Sequence, residues 1–408
     1  IDTIKEENVM LLEGVKVVEL SSFIAAPCCA KMLGDWGAEV IKIEPIEGDG
    51  IRVMGGTFKS PASDDENPMF ELENGNKKGV SINVKSKEGV EILHKLLSEA
   101  DIFVTNVRVQ ALEKMGIAYD QIKDKYPGLI FSQILGYGEK GPLKDKPGFD
   151  YTAYFARGGV SQSVMEKGTS PANTAAGFGD HYAGLALAAG SLAALHKKAQ
   201  TGKGERVTVS LFHTAIYGMG TMITTAQYGN EMPLSRENPN SPLMTTYKCK
   251  DGRWIQLALI QYNKWLGKFC KVINREYILE DDRYNNIDSM VNHVEDLVKI
   301  VGEAMLEKTL DEWSALLEEA DLPFEKIQSC EDLLDDEQAW ANDFLFKKTY
   351  DSGNTGVLVN TPVMFRNEGI KEYTPAPKVG QHTVEVLKSL GYDEEKINNF
   401  KDSKVVRY

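Results

Sequence analysis

The chain has 408 residues, 42% of them hydrophobic and 26% charged, and a formal net charge of −14. This length exceeds one ordinary core and implies two compact parts. The acidic balance argues against nucleic acid or anionic membrane as partners, and no apolar run reaches the ~20 residues of a membrane span.

Residues 1–9 are polar and precede Met10, and read as an addition ahead of the native start. Residues 15–20 form an apolar strand, 25–36 a helix stopped by Gly37, and 39–44 a second strand, which together make a βαβ unit. The alternation continues with a strand at 80–84, a helix at 87–98, and strands at 101–105 and 129–135. Strands alternating with helices predict an α/β fold with a Rossmann-like, mostly parallel, doubly wound sheet. Residues 180–198 are rich in Ala, Gly and Leu and predict a buried helix with close-packed neighbours. A strand at 207–211 and a helix at 212–228 follow. The turn-rich stretch 229–242 reads as a linker. Residues 247–259, with Asp251-Gly252 at their centre, predict a hairpin. Helical segments at 286–308, 310–320 and 329–344, strands within 356–365 and a helix at 383–390 complete the pattern. The implied organisation is a large domain over 11–228, a smaller α+β domain over 240–325 and a segment, 335–408, returning to the first.

Cys28, Cys29, Cys249, Cys270 and Cys330 show no paired spacing and no leader is visible, so a reducing cytoplasmic compartment is expected. The six histidines form no metal-binding pattern, so no metal is expected. There is no G-x-S-x-G elbow and no P-loop, and no G-x-G-x-x-G fingerprint follows the first strand. Carboxylates remain. Asp180 follows Gly177-Phe178-Gly179 and opens the small-residue helix. One reading is a helix N-cap. The other is a nucleophile that needs no general base, attacks a thioester and has backbone N–H groups nearby for the oxyanion. The residues alone allow both.

The segments Leu12-Glu13-Gly14-Val15-Lys16-Val17-Val18-Glu19-Leu20, Gly37-Ala38-Glu39-Val40-Ile41-Lys42-Ile43-Glu44, Asn76-Lys77-Lys78, Gly136-Tyr137-Gly138, Gly179-Asp180 and Thr201-Gly202-Lys203-Gly204 stand in order. In that order and spacing the chain resembles the class III (formyl-CoA and carnitine-CoA transferase) CoA-transferases along nearly its whole length. The resemblance implies a smaller domain on two linkers, an interlocked homodimer and Asp180 as the nucleophile. Acyl-CoA and small carboxylic acids are the implied substrates, with no permanently bound cofactor. The implied CoA-contacting residues are Ile24 and Ala25; Ile82, Asn83, Val84 and Lys85; Asn106, Val107 and Arg108; and Lys114 and Met115. Lys85, Arg108 and Lys114 would also supply the local positive charge that CoA phosphates need in an acidic protein.

The pattern departs from formyl-CoA transferase at Ile24, where a Gln is usual, and at Pro45, where an Arg is usual. A glycine run is also missing from residues 238–246. The apolar Ile24 and the missing glycine run argue against oxalate or formate as substrate. The segments around Gly136, Pro147 and Glu337 resemble the 2-hydroxyacid CoA-transferases of amino-acid fermentation. They imply transfer from an enoyl-CoA such as isocaprenoyl-CoA to (R)-2-hydroxyisocaproate, with phenyllactate as the near alternative. The rivals are an α-methylacyl-CoA racemase of the same fold, whose His would fall where Phe149 stands, a CoA-binding scaffold and a dinucleotide dehydrogenase.

Overall fold

Runs of Val, Ile and other apolar residues build β1 (Lys16–Leu20), β2 (Glu39–Glu44), β3 (Lys78–Ile82), β4 (Ile102–Thr105), β5 (Ile130–Leu135) and β6 (Arg206–Ser210). The computed structural model describes residues 10–366 and 371–408, which leaves the polar opening outside the described residues. The six strands pair in parallel in the order β3-β2-β1-β4-β5-β6. Val406–Arg407 adds an antiparallel edge strand beside β3. The order reverses between β1 and β4. Their following turns therefore part to opposite faces and leave a crevice at the strand carboxyl ends. The expected doubly wound α/β sheet is present.

Each face of the sheet has its own core. On one face α1 (Ala25–Asp35) packs against the long helix α5 (Phe178–Thr201). Small residues set that distance. A Cβ on Gly184 would lie 2.0 Å from Cys28 Sγ and 2.6 Å from the Ala25 carbonyl. On the other face α3 (Lys87–Glu99) buries Ile92, Leu93, Leu96 and Leu97 against Val18, Val80 and Phe103. Ser86 caps α3 by accepting from the Gly89 N–H at 3.0 Å. Between them in sequence lies the short helix α2 (Pro68–Asn74), and α4 (Val109–Met115) follows β4.

The chain divides into two compact units, one of residues 1–160, 174–220 and 338–408, the other of residues 161–173 and 221–337. The second unit holds a three-stranded antiparallel sheet, β7 (Thr246–Lys248), β8 (Trp254–Leu257) and β9 (Phe324–Lys326), in that order. Gly252, with φ +85°, makes the expected turn between β7 and β8. Its core contains Trp313, whose indole N–H donates to the Met305 carbonyl at 2.8 Å. Helix Tyr262–Val272, not anticipated from sequence, buries Tyr262, Leu266, Phe269 and Cys270 in the same core.

Candidate active site

The crevice between β1 and β4 is shaped by charges buried beneath it. Glu19 on β1 accepts from Lys42 at 2.9 Å and pairs with Lys77 at 2.8 Å, and Lys42 also pairs with Asp49 at 2.9 Å. All four side chains are fully buried. Burial works against ionised Glu19, but the two lysines outweigh it and hold its carboxyl below the usual range. The network is tied directly to the turn after β1. Lys42 donates to the Ser21 carbonyl at 3.3 Å, Ser21 donates to Glu19 at 2.7 Å, and Asp49 accepts from the Phe23 N–H at 3.1 Å. Phe23 has φ +64°, a left-handed conformation costing about 1–3 kcal/mol in a non-glycine residue. The Asp49 contact helps to hold it there. Asn106, after β4, closes the turn from the other side by accepting from the Ser22 N–H and donating to the Ser22 carbonyl.

Above this turn is a cavity of about 400 Å³, lined by Phe23, Ile24, Ala25, Asn106, Val107, Arg108, Lys144, Lys146, Phe149 and Asp180 among others. A second cavity, of about 880 Å³, is walled by Val84, Val90, Ala111 and Met115, with Lys85, Lys87 and Lys114 at its edge. Val107 lines both. The anticipated residues Ile24, Ala25, Asn106, Val107 and Arg108 thus lie around Asp180, and Val84, Lys85, Lys114 and Met115 lie in the adjoining cavity. Ile82 and Asn83 line neither. Ile82 is fully buried in the sheet core, and the Asn83 side chain accepts from the Lys85 N–H at 3.1 Å. Lys144, Lys146 and Phe149 were not anticipated as site residues. No ion pair engages Lys85, Arg108, Lys114, Lys144 or Lys146 among the described residues.

Asp180 does not cap its helix. The N-cap is Gly177, φ +82°, and Asp180 stands three residues on, half-buried and facing the cavity. Asp150 takes the capping role from a distant π-helical turn, Asp150–Ala156. Its carboxylate accepts from the Gly177 N–H at 2.8 Å and the Gly179 N–H at 3.0 Å. Those two N–H groups are therefore filled and do not stand open to an oxyanion. Glycine is required at 179, where a Cβ would lie 2.2 Å from the Tyr154 ring and 2.5 Å from an Asp150 oxygen.

With its cap supplied from elsewhere, Asp180 is left with a free carboxylate beside another. Burial, then the charge of Asp150 and that of Glu73, push the Asp180 carboxyl up to about 7, against the pull of His181. Cys28, close by, is no rival nucleophile, because burial raises its thiol well above the usual range. No group of His, Cys, Asp or Glu is placed to hold a metal among the described residues. No helix among them is long and apolar enough to cross a membrane.

Residues 12–383 match CoA-transferase family III. The chain is 47% identical over 98% of both lengths to a cinnamoyl-CoA:phenyllactate CoA-transferase of Clostridium sporogenes. It is 27% identical to the human succinyl-CoA:glutarate CoA-transferase, over 98% of this chain and 90% of that one. The crystal structure of a CaiB/BaiF family protein from Brucella suis superposes with a TM-score of 0.81 at 26% identity, covering 94% of this chain and all of that one. A family match across nearly the whole sheet and both units, and a relative at this identity over full length, make the chain a member of CoA-transferase family III and a class III CoA-transferase.

Proposed function

We propose that the protein moves CoA from an acyl-CoA to a 2-hydroxyacid with an apolar side chain, using Asp180 as a covalent nucleophile. The observation that carries this reading is the Asp180 carboxylate, unbonded and directed into a cavity at the strand carboxyl ends. The ionised carboxylate attacks the thioester carbon, the C–S bond breaks, and CoA leaves as thiolate from a mixed anhydride. The thiolate then attacks the Asp180 carbonyl carbon and releases the first acid, leaving an aspartyl-CoA thioester. The acceptor carboxylate attacks that thioester, and the returning thiolate takes the acceptor acyl group from the second anhydride. Each step exchanges one leaving group for another, so neither a general base nor ATP is required.

Arg108, Lys144 and Lys146 beside Asp180, and Lys85, Lys87 and Lys114 around the neighbouring cavity, suit the CoA phosphates. The apolar slot of Val84, Val107 and Met115 suits its adenine. Ile24 and Phe149 beside Asp180 favour an apolar acid over a small dianion. The Clostridium sporogenes relative is named for phenyllactate, and an aliphatic acid such as (R)-2-hydroxyisocaproate suits the same walls. Phe149 cannot transfer a proton, which disfavours the racemase. We place the enzyme in the cytoplasm as a homodimer.

The test is covalent. After incubation with acyl-CoA, hydroxylamine should mark the peptide containing Asp180 by mass spectrometry. Asp180→Ala should keep its CoA affinity and lose transfer by at least ~10³-fold. An unmarked peptide together with an active Asp180→Ala enzyme would sink the proposal.

A further inference from the structure

The residue after the proposed nucleophile is a histidine held in an unusual way. His181 Nε2 lies 2.8 Å from Glu73 Oε1. Glu73 comes from α2 and its side chain is 2% exposed, whereas that of His181 is 47% exposed. The nearby Gly177 backbone also favours the protonated ring. A buried carboxylate at Nε2 favours a ring that carries a positive charge. Burial opposes that charge. The Glu73 hydrogen bond and charge, with the charge of Asp180, outweigh it and raise the imidazole above its ordinary value.

The groups that bear on Asp180 come from every element packed around it. Asp150 approaches from the π-helical turn and Glu73 from α2, both acidic, and the Cys28 thiol approaches from α1. Arg108, Lys144 and Lys146 line the same cavity, and His181 is the cation whose charge lowers the Asp180 carboxyl against these carboxylates. It does not line the cavity, so its influence passes through its neighbour.

We propose that His181, clamped by Glu73, is a positioning residue whose fixed positive charge keeps Asp180 ionised among the surrounding carboxylates and so available to attack. The inference rests on Asp180 being the nucleophile. It assigns the Glu73–His181 pair a task in the chemistry beyond joining α2 to α5. The pair remains protonated throughout transfer and neither gives nor takes a proton.

The test is the pH profile of acyl transfer by the full-length enzyme, measured as single-turnover acyl exchange from an acyl-CoA. In wild type the rate should rise with pH as Asp180 ionises. His181→Gln should move that acidic limb upward by about one pH unit. The rate at pH 6 should then fall ~10-fold, with a smaller loss at high pH. Glu73→Gln removes the charge that holds the proton on His181 and also a carboxylate that itself raises Asp180, so its limb should move upward by less than that of His181→Gln. His181→Lys, which restores a cation, should return it toward wild type. A limb that stays in place in both neutral variants, whether the rate falls evenly or not at all, would overturn the proposal. If His181→Gln does not fold, as judged by melting temperature, the Glu73→Gln limb decides alone. Asp180→Ala separates the two readings, because an active Asp180→Ala enzyme defeats the nucleophile itself, whereas an unmoved limb with an inactive Asp180→Ala enzyme defeats only the role of the pair.

Discussion

Asp180 is costly to keep charged, and that cost has a thermodynamic signature. Its carboxyl is held up near 7 by burial and by Asp150, so the folded state binds a proton there more tightly than the unfolded chain does. The stabilisation is complete below the unfolded value and is lost as pH rises through about 7. Asp180→Asn mimics the protonated carboxyl at every pH. At pH 8 it should be more stable than wild type by about 2 kcal/mol, a value already reduced for partial solvent access. At pH 3, below the unfolded value, the two should melt together. Calorimetry at the two pH values checks this, and equal melting temperatures at pH 8 would mean that the ionised carboxylate is better solvated than its surroundings imply. The same residue shows what sequence can and cannot say about a site. Gly179-Asp180 at a helix start was legible as a candidate, but not its freedom from capping, because the carboxylate that replaces it comes from Asp150, 27 residues before Gly177. A contact of that span leaves no local pattern.

Among the elements, the strands and helices of the sheet were readable because their side chains carry the period of their own burial. β1 to β6 and α3 fall within two residues of the expected bounds. Elements whose ends depend on single breakers were not. The helix expected over 212–228 stops at Gly218 and resumes at Gly220, and the one expected over 329–344 splits around Asp335 and Asp336. The charged residues Glu19 and Lys42 lie inside apolar strands, and that misfit was the available sign of the buried network beneath the active-site turn. Lys77 joins Glu19 to the Pro27 carbonyl of α1, 2.8 Å away, and to Asn74 at the end of α2. Lys77→Met leaves Glu19 short of a cation in the core, and should cost about 3–5 kcal/mol in a urea unfolding curve. Adding Glu19→Gln should recover part of the loss. Equal effects for the single and the double variant would mean that α1 and α2 are held by packing rather than by this pair.

The whole molecule is acidic, with a net charge of −14, yet Arg108, Lys144, Lys146, Lys85 and Lys114, without ion-pair partners among the described residues, line the cavities at the carboxyl end of the sheet, where they would ease the approach of an anionic ligand. A second whole-molecule feature is apolar surface left uncovered in the first unit. Tyr217 is 77% and Phe178 63% exposed, and Ile216, Phe344 and Val359 are exposed as well. Phe178 directly precedes the glycine that packs on Tyr154, so part of this surface adjoins the proposed nucleophile. Exposed aromatic rings next to a proposed nucleophile suit a contact between chains, and a second copy of the chain is the partner proposed to cover them. At micromolar concentration the protein should sediment at twice the mass of one chain. Tyr217→Asp, which places a charge where an aromatic ring would be buried, should shift the equilibrium toward the single chain and lower transfer activity in proportion to the dimer lost. The sheet core of the first unit would stay intact, because Tyr217 makes no part of it. A wild-type enzyme that sediments as one chain while fully active would show that the exposed ring serves something other than self-association. A Tyr217→Asp dimer of unchanged stability would place the contact elsewhere on the surface.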